Sequence, residues 1–249
     1  LRVHTDGETG QTLVAGMGEL HLDIIRDRLE RDFAVAVHLG RPRVNYRETV
    51  RGGSSAEMTF VRQAGAVRQY AAVRLEIAPR PQGHGLSVAI DAPEERIPAV
   101  FHNAVEAGIR EAAGSGVDSD LPLTDCHVRV TDGSYDATDS SDLAFRAAAA
   151  LALKDAVRKA GVTVLEPVMA VEVLTSPDCL GDVIGDLSSR RGRITEVDTL
   201  ASGTARVVAR VALAELFGYA TALRSLTRGR ADVAAEPSHY EPAPEHAVG

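Results

Sequence analysis

Apolar residues recur with two periods along the chain, and the order of those periods divides it into parts. Near the C-terminus, PVMAVEVLT alternates with Met169, Val171 and Val173 on one side, and CLGDVIGDLSSRRG then places Leu180, Val183, Ile184 and Leu187 on one helix face. RITEVDTL and TARVVARVAL alternate again, a helical pattern runs from about Leu216 to Leu226, and a last strand is predicted around Ala231 to Ala235. Alternation marks strands and the wider spacing marks helices. The predicted order is βαββαβ, that of a ferredoxin-like module.

The N-terminus repeats the later part of that order. Leu1 and Val3 read as a strand, Asp6-Gly7 as a turn, and Thr12, Leu13 and Val14 as the hairpin partner. Gly16 and Gly18 interrupt this strand before a helix predicted from about Glu19 to Asp32, with Leu22, Ile25 and Leu29 on one face, and FAVAVHLG reads as a further strand. The first strand and first helix of a full module are missing. Three strands and one helix leave an apolar face uncovered, so the chain is expected to be part of a longer polypeptide.

Between the two lies a different unit. Strands are predicted at AEMTFVRQ, QYAAVRLEIAP and GLSVAID, then a helix near Ile97 to Ala113 whose buried stripe is Phe101, Ala104, Val105, Gly108 and Ile109. LTDCHVRVTDG gives another strand with Cys126, Val128 and Val130 on one face, while Pro81, Gly83 and Gly85 mark a turn. In TDGSYDATDSSDLAFRAAAALALKDAVRKAG an aspartate-rich run opens into an alanine-rich helix suited to tight packing on a sheet. Asp139 is the predicted N-cap with Asp142 three positions on, and both carboxylates favour the positive end of the helix. DGSYDAT then forms a loop held by a strand before it and a capped helix after it, an arrangement suited to recognition.

Composition narrows the function classes. With 4% aromatic residues and no Trp, the cores must be built from Val, Leu, Ile and Ala, which favours several small modules over one thick core. A formal net charge of −8 argues against a generally basic nucleic-acid binder and leaves only local clusters to consider. Of the 27 basic residues only Lys154 and Lys159 are lysine, so the rest carry the planar fork suited to phosphate contact and base stacking.

Cys126 and Cys179 lack CxxC spacing and read as reduced thiols of a cytoplasmic protein. No run reaches membrane-spanning length and no signal peptide opens the chain, so a soluble cytoplasmic location is expected. Glu19, His21 and Asp23 occupy successive odd helix positions that point in different directions, so no metal site is expected there. His84, His102 and His127 are isolated, and no Ser-His-Asp or paired-carboxylate arrangement assigns a catalytic residue.

GMGELHLDII, GSY followed by DSSDLAF, VLEPVM, GDVIGDLSSRRGRI and LFGYATALRSLTRGRAD occur in this order and resemble the signature segments of the bacterial elongation factor G family, the translocation GTPases of the ribosome. The resemblance spans nearly all of the chain. It implies an α+β, multi-domain fold: a partial ferredoxin-like third domain over residues 1–48, a ribosomal-protein-S5-like fourth domain over 49–166, a ferredoxin-like fifth domain over 167–240, and a tail over 241–249. It also implies GTP-dependent translocation of tRNA and mRNA, with the ribosome (rRNA and ribosomal proteins) and the A-site tRNA–mRNA pair as partners, and a monomeric chain. No GxxxxGK followed by Ser or Thr occurs here, so the resemblance assigns GTP and magnesium to a domain outside this chain, with no cofactor and no catalytic residue within it.

In this family the fourth-domain tip is made of two loops. The first resembles an RQxGGRGQYGH-like run and reads RQAGAVRQYAA here: Arg62, Gln63, Gly65, Gln69 and Tyr70 match, whereas Ala66, Val67, Arg68, Ala71 and Ala72 depart, and Arg68 stays a candidate contact. The second carries Gly133, Ser134, Tyr135, Asp136, Asp139, Ser140 and Ser141, with Asp136 where the family usually places histidine. A carboxylate facing a phosphate backbone adds repulsion where an imidazole donates a hydrogen bond.

Arg190, Arg191, Arg193, Arg224, Arg228 and Arg230 are candidate rRNA contacts of the fifth domain; their other reading is as solvated helix C-termini favoured by the dipole. Two further functional readings stay open. One is a ribosomal protection factor of the tetracycline-resistance type, to which LEIAPRPQGHG and LTDCHV are somewhat closer. The other is a freestanding remnant with no ribosomal role.

Overall fold

The computed structural model describes residues 2–5, 11–15, 19–35, 43–64, 67–118 and 120–244. They belong to two compact units, Leu1–Asn45 with Glu166–Glu241, and Tyr46–Leu165 with Pro242–Gly249. Sheets and helices mix in both, as the predicted α+β class requires. No helix among the described residues is long and apolar enough to cross a membrane.

At the N-terminus β1 (Arg2–Thr5) and β2 (Thr12–Ala15) pair antiparallel with Val3 opposite Val14. Helix α1 (Glu19–Phe33) follows, with Leu22, Ile25 and Leu29 half-buried and Ile24 exposed, as the one-face pattern requires. The strand predicted from Phe33 does not start there. Phe33 is still helical, and Ala34 turns to φ 53° so that the amides of Ala34 and Val35 reach back to the carbonyls of Glu30 and Leu29, closing the helix end. Residues 36–40 of that expected strand lie outside the described residues, as do the side chains of Glu19, His21 and Asp23.

The second unit begins with a strand that periodicity did not predict, β3 (Arg47–Val50). Its inward positions are Val50 and Glu48, and a fully buried glutamate breaks the apolar alternation. Glu48 Oε1 accepts the Val117 amide at 2.8 Å, and its backbone bonds to Pro122 and Thr124 bind the connection after the first helix of the unit. Then come β4 (Ser54–Ala64), β5 (Val67–Pro79), β6 (Leu86–Ile90), α2 (His102–Ser115), β7 (Cys126–Ser134) and α3 (Asp142–Ala160). The sheet order is β4-β5-β7-β6, with β6 and β7 parallel. Strand β8 (Val162–Thr175) enters this unit with Val162–Leu165, which pair antiparallel with β3.

Helices α2 and α3 cover one face of this sheet. Val73, Leu75, Ile77, Val128 and Val130 point under them and are buried, while Arg74 and Arg129 on the alternate positions face solvent. Alanines 144, 148, 149, 152 and 156 of α3 are all fully buried; their small side chains let the helix lie close to β4, β5 and α2. Phe101 stacks on Phe145 with ring centroids 4.7 Å apart. Helix α2 starts later than the predicted Ile97, after a 3-10 turn at Ala99–Phe101, because a residue preceding proline, here Pro98, is pushed out of the helical region.

In the other unit β8 leads through a 3-10 turn (Pro177–Cys179) into α4 (Leu180–Ser189), β9 (Arg193–Thr199), β10 (Ala205–Ala212), α5 (Tyr219–Leu226) and β11 (Ala231–Pro242). The order β11-β8-β10-β9, with β10 antiparallel to both neighbours, is that of the expected ferredoxin-like module. Val171, Val173, Val183, Leu187, Val207, Val211 and Leu223 form its core, with Met169 packed against it. Helix α5 begins three residues after the predicted Leu216, since Leu213–Leu216 is a 3-10 turn and Gly218 takes the left-handed φ of 74° that interrupts the helix. The last strand runs past the predicted Ala235 to Pro242, and the Ala243 amide donates to Val164 O at 2.9 Å. Both cysteines are free and buried, and burial pushes the Cys126 thiol up to about 12.

Candidate functional site

The RQAGAVRQYAA segment, a tip loop by the resemblance although its two ends fall in the predicted strands AEMTFVRQ and QYAAVRLEIAP, is for the most part paired strand. Arg62 and Gln63 lie on β4 opposite Gln69 and Arg68 of β5, the last pair is Ala64 with Val67, and only residues 65 and 66 connect the two strands. Gly65 is outside the described residues. The hairpin is long because Val61, Tyr70 and their neighbours keep strand alternation nearly to the turn, and nothing in the sequence stops the pairing earlier. Alternation has a consequence for charge: Arg62 shares a face with Gln69, whereas Arg68 shares the opposite face with Gln63 and Tyr70.

β7 covers β5 only as far as Ser134 opposite Ala72, so the hairpin end extends beyond it. There the 135–141 segment takes over the exposed edge of β5. The Tyr70 amide donates to Asp139 O at 3.0 Å, and the Ser140 hydroxyl donates to Tyr70 O at 2.7 Å. Ser140 also accepts the Asp136 amide at 2.9 Å and donates its own amide to Asp136 O at 3.0 Å. Tyr70, Asp136, Asp139 and Ser140 thus bind the two expected tip segments into one end.

Gly133 and Ser134, expected in the second loop, are the last residues of β7. Gly133 is buried, and a Cβ there would sit 2.6 Å from both Ala72 O and the Ile97 side chain, so the position requires glycine for close packing. Tyr135 is exposed.

Asp136 does not present a bare carboxylate to solvent. Its Oδ1 accepts the amides of Thr138 at 2.8 Å and Asp139 at 3.0 Å. These two donors hold its carboxyl below the usual range, with a smaller contribution from the Arg68 charge. The aspartate at this position therefore shapes the loop as well as charging it. Close by, Arg96 holds the Asp132 carboxyl down by a two-point contact at 2.7 and 3.2 Å, aided by the Gly133 amide.

The N-cap of α3 is Ser141, not Asp139. Ser141 is extended and its hydroxyl accepts the Ala144 amide at 3.3 Å, whereas Asp139 is spent on the contact to β5. Asp142 keeps its place in the first turn. Ser141→Ala is expected to cost about 1 kcal/mol of the stability of this unit, the usual size of a lost serine cap, read as a lower urea midpoint at unchanged slope.

The six arginines of the ferredoxin-like unit do not form one exposed set. Arg190 donates to Asp186 at 3.0 Å and to Glu215 O at 2.9 Å, and its guanidinium lies 5.0 Å from the centre of the Tyr219 ring. Burial pushes the Tyr219 phenol up to about 12. Arg191, with φ 59°, grips both oxygens of the buried Glu166 at 3.1 Å each and reaches Glu215 with Nε at 3.0 Å. Arg230 pairs with Asp178 at 2.8 Å. Arg193, Arg224 and Arg228 are exposed and pair with no carboxylate among the described residues. The sequence named all six from their clustering; Arg190 is taken by Asp186 one helical turn before it, whereas Arg191 and Arg230 are taken by carboxylates distant in sequence.

No group of three or more His, Cys, Asp or Glu side chains gathers in metal-ligand fashion among the described residues. Three family models match the chain in succession: elongation factor G domain III over residues 1–41, elongation factor G domain IV over 42–161, and the elongation factor G C-terminus over 163–248. Elongation factor G of Aquifex pyrophilus is 47% identical over 245 residues, which is 98% of this chain and 35% of that protein. A solved structure from Thermus thermophilus superposes with a TM-score of 0.91 at 36% identity, covering 99% of this chain and 37% of that one. The chain spans about a third of the length of these relatives. From the order of its segments, the fold of its units and these matches, the chain belongs to the elongation factor G family and carries that family's domain III segment, domain IV and C-terminal domain.

Proposed function

We propose that this chain is the ribosome-engaging part of a translation elongation factor, acting by position and RNA contact. The end built from the β4–β5 hairpin and residues 135–141 enters the decoding-side A site and holds the tRNA–mRNA pair as it moves. The C-terminal ferredoxin-like unit contacts rRNA near the GTPase-associated region of the large subunit. The nucleotide state of a GTPase domain elsewhere in the protein sets the orientation of this half, and no residue here is assigned to GTP or magnesium. The domain limits follow the sequence division at 48, 166 and 240.

One observation carries the reading: Tyr70 joins the hairpin and the 135–141 segment through both of its backbone groups, giving a braced end with Arg62, Gln63, Arg68 and Tyr135 at its surface. A braced loop end suits recognition of a large partner. In the C-terminal unit, the arginines left for RNA are Arg193, Arg224 and Arg228.

Cosedimentation with bacterial 70S ribosomes across a salt series tests this. The chain is expected to pellet at low salt and to be released as salt rises, and the variant with Arg193, Arg224 and Arg228 changed to Ala is expected to bind more weakly with a salt slope shallower by about two to three. A chain that stays in the supernatant at low salt, or a triple variant that binds unchanged, counts against the reading.

A further inference from the structure

Arg68 is the basic side chain of the hairpin end whose surroundings are most unlike those of a free phosphate contact. Its Nε lies 3.6 Å from Asp139 Oδ2, a distance beyond hydrogen bonding but within ion pairing. The arginine side chain is 56% exposed and the Asp139 side chain 22%, so the carboxylate is the more sheltered partner and the guanidinium the one open to solvent. Asp139 is fixed by its own backbone, since its carbonyl accepts the Tyr70 amide and its amide donates to Asp136. The Arg68 charge also acts on Asp136, so two carboxylates of the 135–141 segment bear on this single cation.

We propose that Asp139 is a charge gate on Arg68: it holds the guanidinium against the loop until an RNA phosphate of matching position displaces it. This rests on the ribosomal reading above and adds to it a determinant of selectivity. An exposed ion pair at this distance is weak, so a well-placed phosphate, which offers a two-point contact to the guanidinium, outcompetes the carboxylate. A loosely placed phosphate does not, because it must meet the repulsion of Asp136 and Asp139 as well. The pair therefore suppresses casual RNA binding by the hairpin end and leaves contact at a correctly presented backbone intact.

The test compares wild type, Asp139→Asn, Arg68→Ala and the double variant in the full chain, with a short single-stranded RNA oligonucleotide and with 70S ribosomes as separate probes. Asp139→Asn keeps the side-chain shape and all the backbone bonds, and circular dichroism melts check that each variant folds. Asp139→Asn is expected to tighten oligonucleotide binding about two- to fivefold, the fold-change of one exposed ion pair, with a salt slope steeper by about 0.7. This gain should vanish in the double variant.

An unchanged or weaker affinity in Asp139→Asn overturns the gate. So does a gain that persists without Arg68, which would be a general charge effect, and so does an absence of measurable oligonucleotide binding by Asp139→Asn at low salt. If the gain appears and depends on Arg68 while no form pellets with ribosomes, the gate stands and the ribosomal reading falls.

Discussion

Gly108→Ala is expected to lower the stability of the unit built on β4 to α3 by about 3 kcal/mol, the upper end of the usual cost of overpacking. Alanine is the better helix former by about 1 kcal/mol, so an isolated view of α2 predicts the opposite sign. The crossing of the helices decides it. A Cβ at position 108 would stand 2.3 Å from the carbonyl oxygen of Arg146 and 3.0 Å from its C and Cα, and every one of these atoms is backbone.

No rotamer change relieves such a contact, so α2 and α3 must move apart. That movement loosens the buried surface shared by Val105, Ile109, Ala148 and Ala149. Gly114→Ala, in the same helix with nothing within 4 Å of its new methyl group, is the control. It is expected to be neutral or to gain up to about 1 kcal/mol. Urea unfolding of both variants, followed by a probe in this unit, checks the pair; equal midpoints for the two would show that helix crossing is not what excludes a side chain at 108.

Arg191→Ala is expected to destabilise the ferredoxin-like unit by about 2 to 3 kcal/mol. Glu166 is 5% exposed and receives both of its charged hydrogen bonds from the Arg191 fork. Removing the arginine leaves a carboxylate facing the interior without its counter-charge, a change that costs about 3 to 5 kcal/mol for a fully buried pair. The Arg191 side chain is itself 41% exposed, so water can enter its place and soften the loss.

Arg191→Lys keeps the charge but cannot make the two-point contact, so it should fall between alanine and wild type. Thermal melts of this unit check the order wild type, lysine, alanine. An alanine variant that melts with wild type would mean that the Glu166 contact adds nothing to the fold. A weaker hold of this variant on ribosomes would report lost structure, which is why the ribosome test uses Arg193, Arg224 and Arg228.

The sequence by itself determined the elements whose burial follows a period. Val171 and Val173 in β8, Cys126, Val128 and Val130 in β7, and the α4 stripe of Val183 and Leu187 all face a core, because regular alternation or helical spacing leaves one face apolar whatever lies across from it. From those elements the βαββαβ order could be read. The signature segments likewise carry the family resemblance in one dimension.

Only the tertiary structure decided where polar residues go. Glu48 hides strand β3 because its carboxylate is satisfied by an amide 69 positions on, at Val117. Ser141 rather than Asp139 caps α3 because the 135–141 segment must meet Tyr70 of β5. Arg190, Arg191 and Arg230 are taken up by Asp186, Glu166, Glu215 and Asp178, whereas Arg193, Arg224 and Arg228 meet no carboxylate among the described residues. Apolar burial is local and periodic, so a chain displays it in one dimension. Apart from pairs one helical turn apart, such as Asp186 and Arg190, these hydrogen bonds and ion pairs join groups that only the fold brings within about 3 Å of each other, and no spacing along the chain announces them.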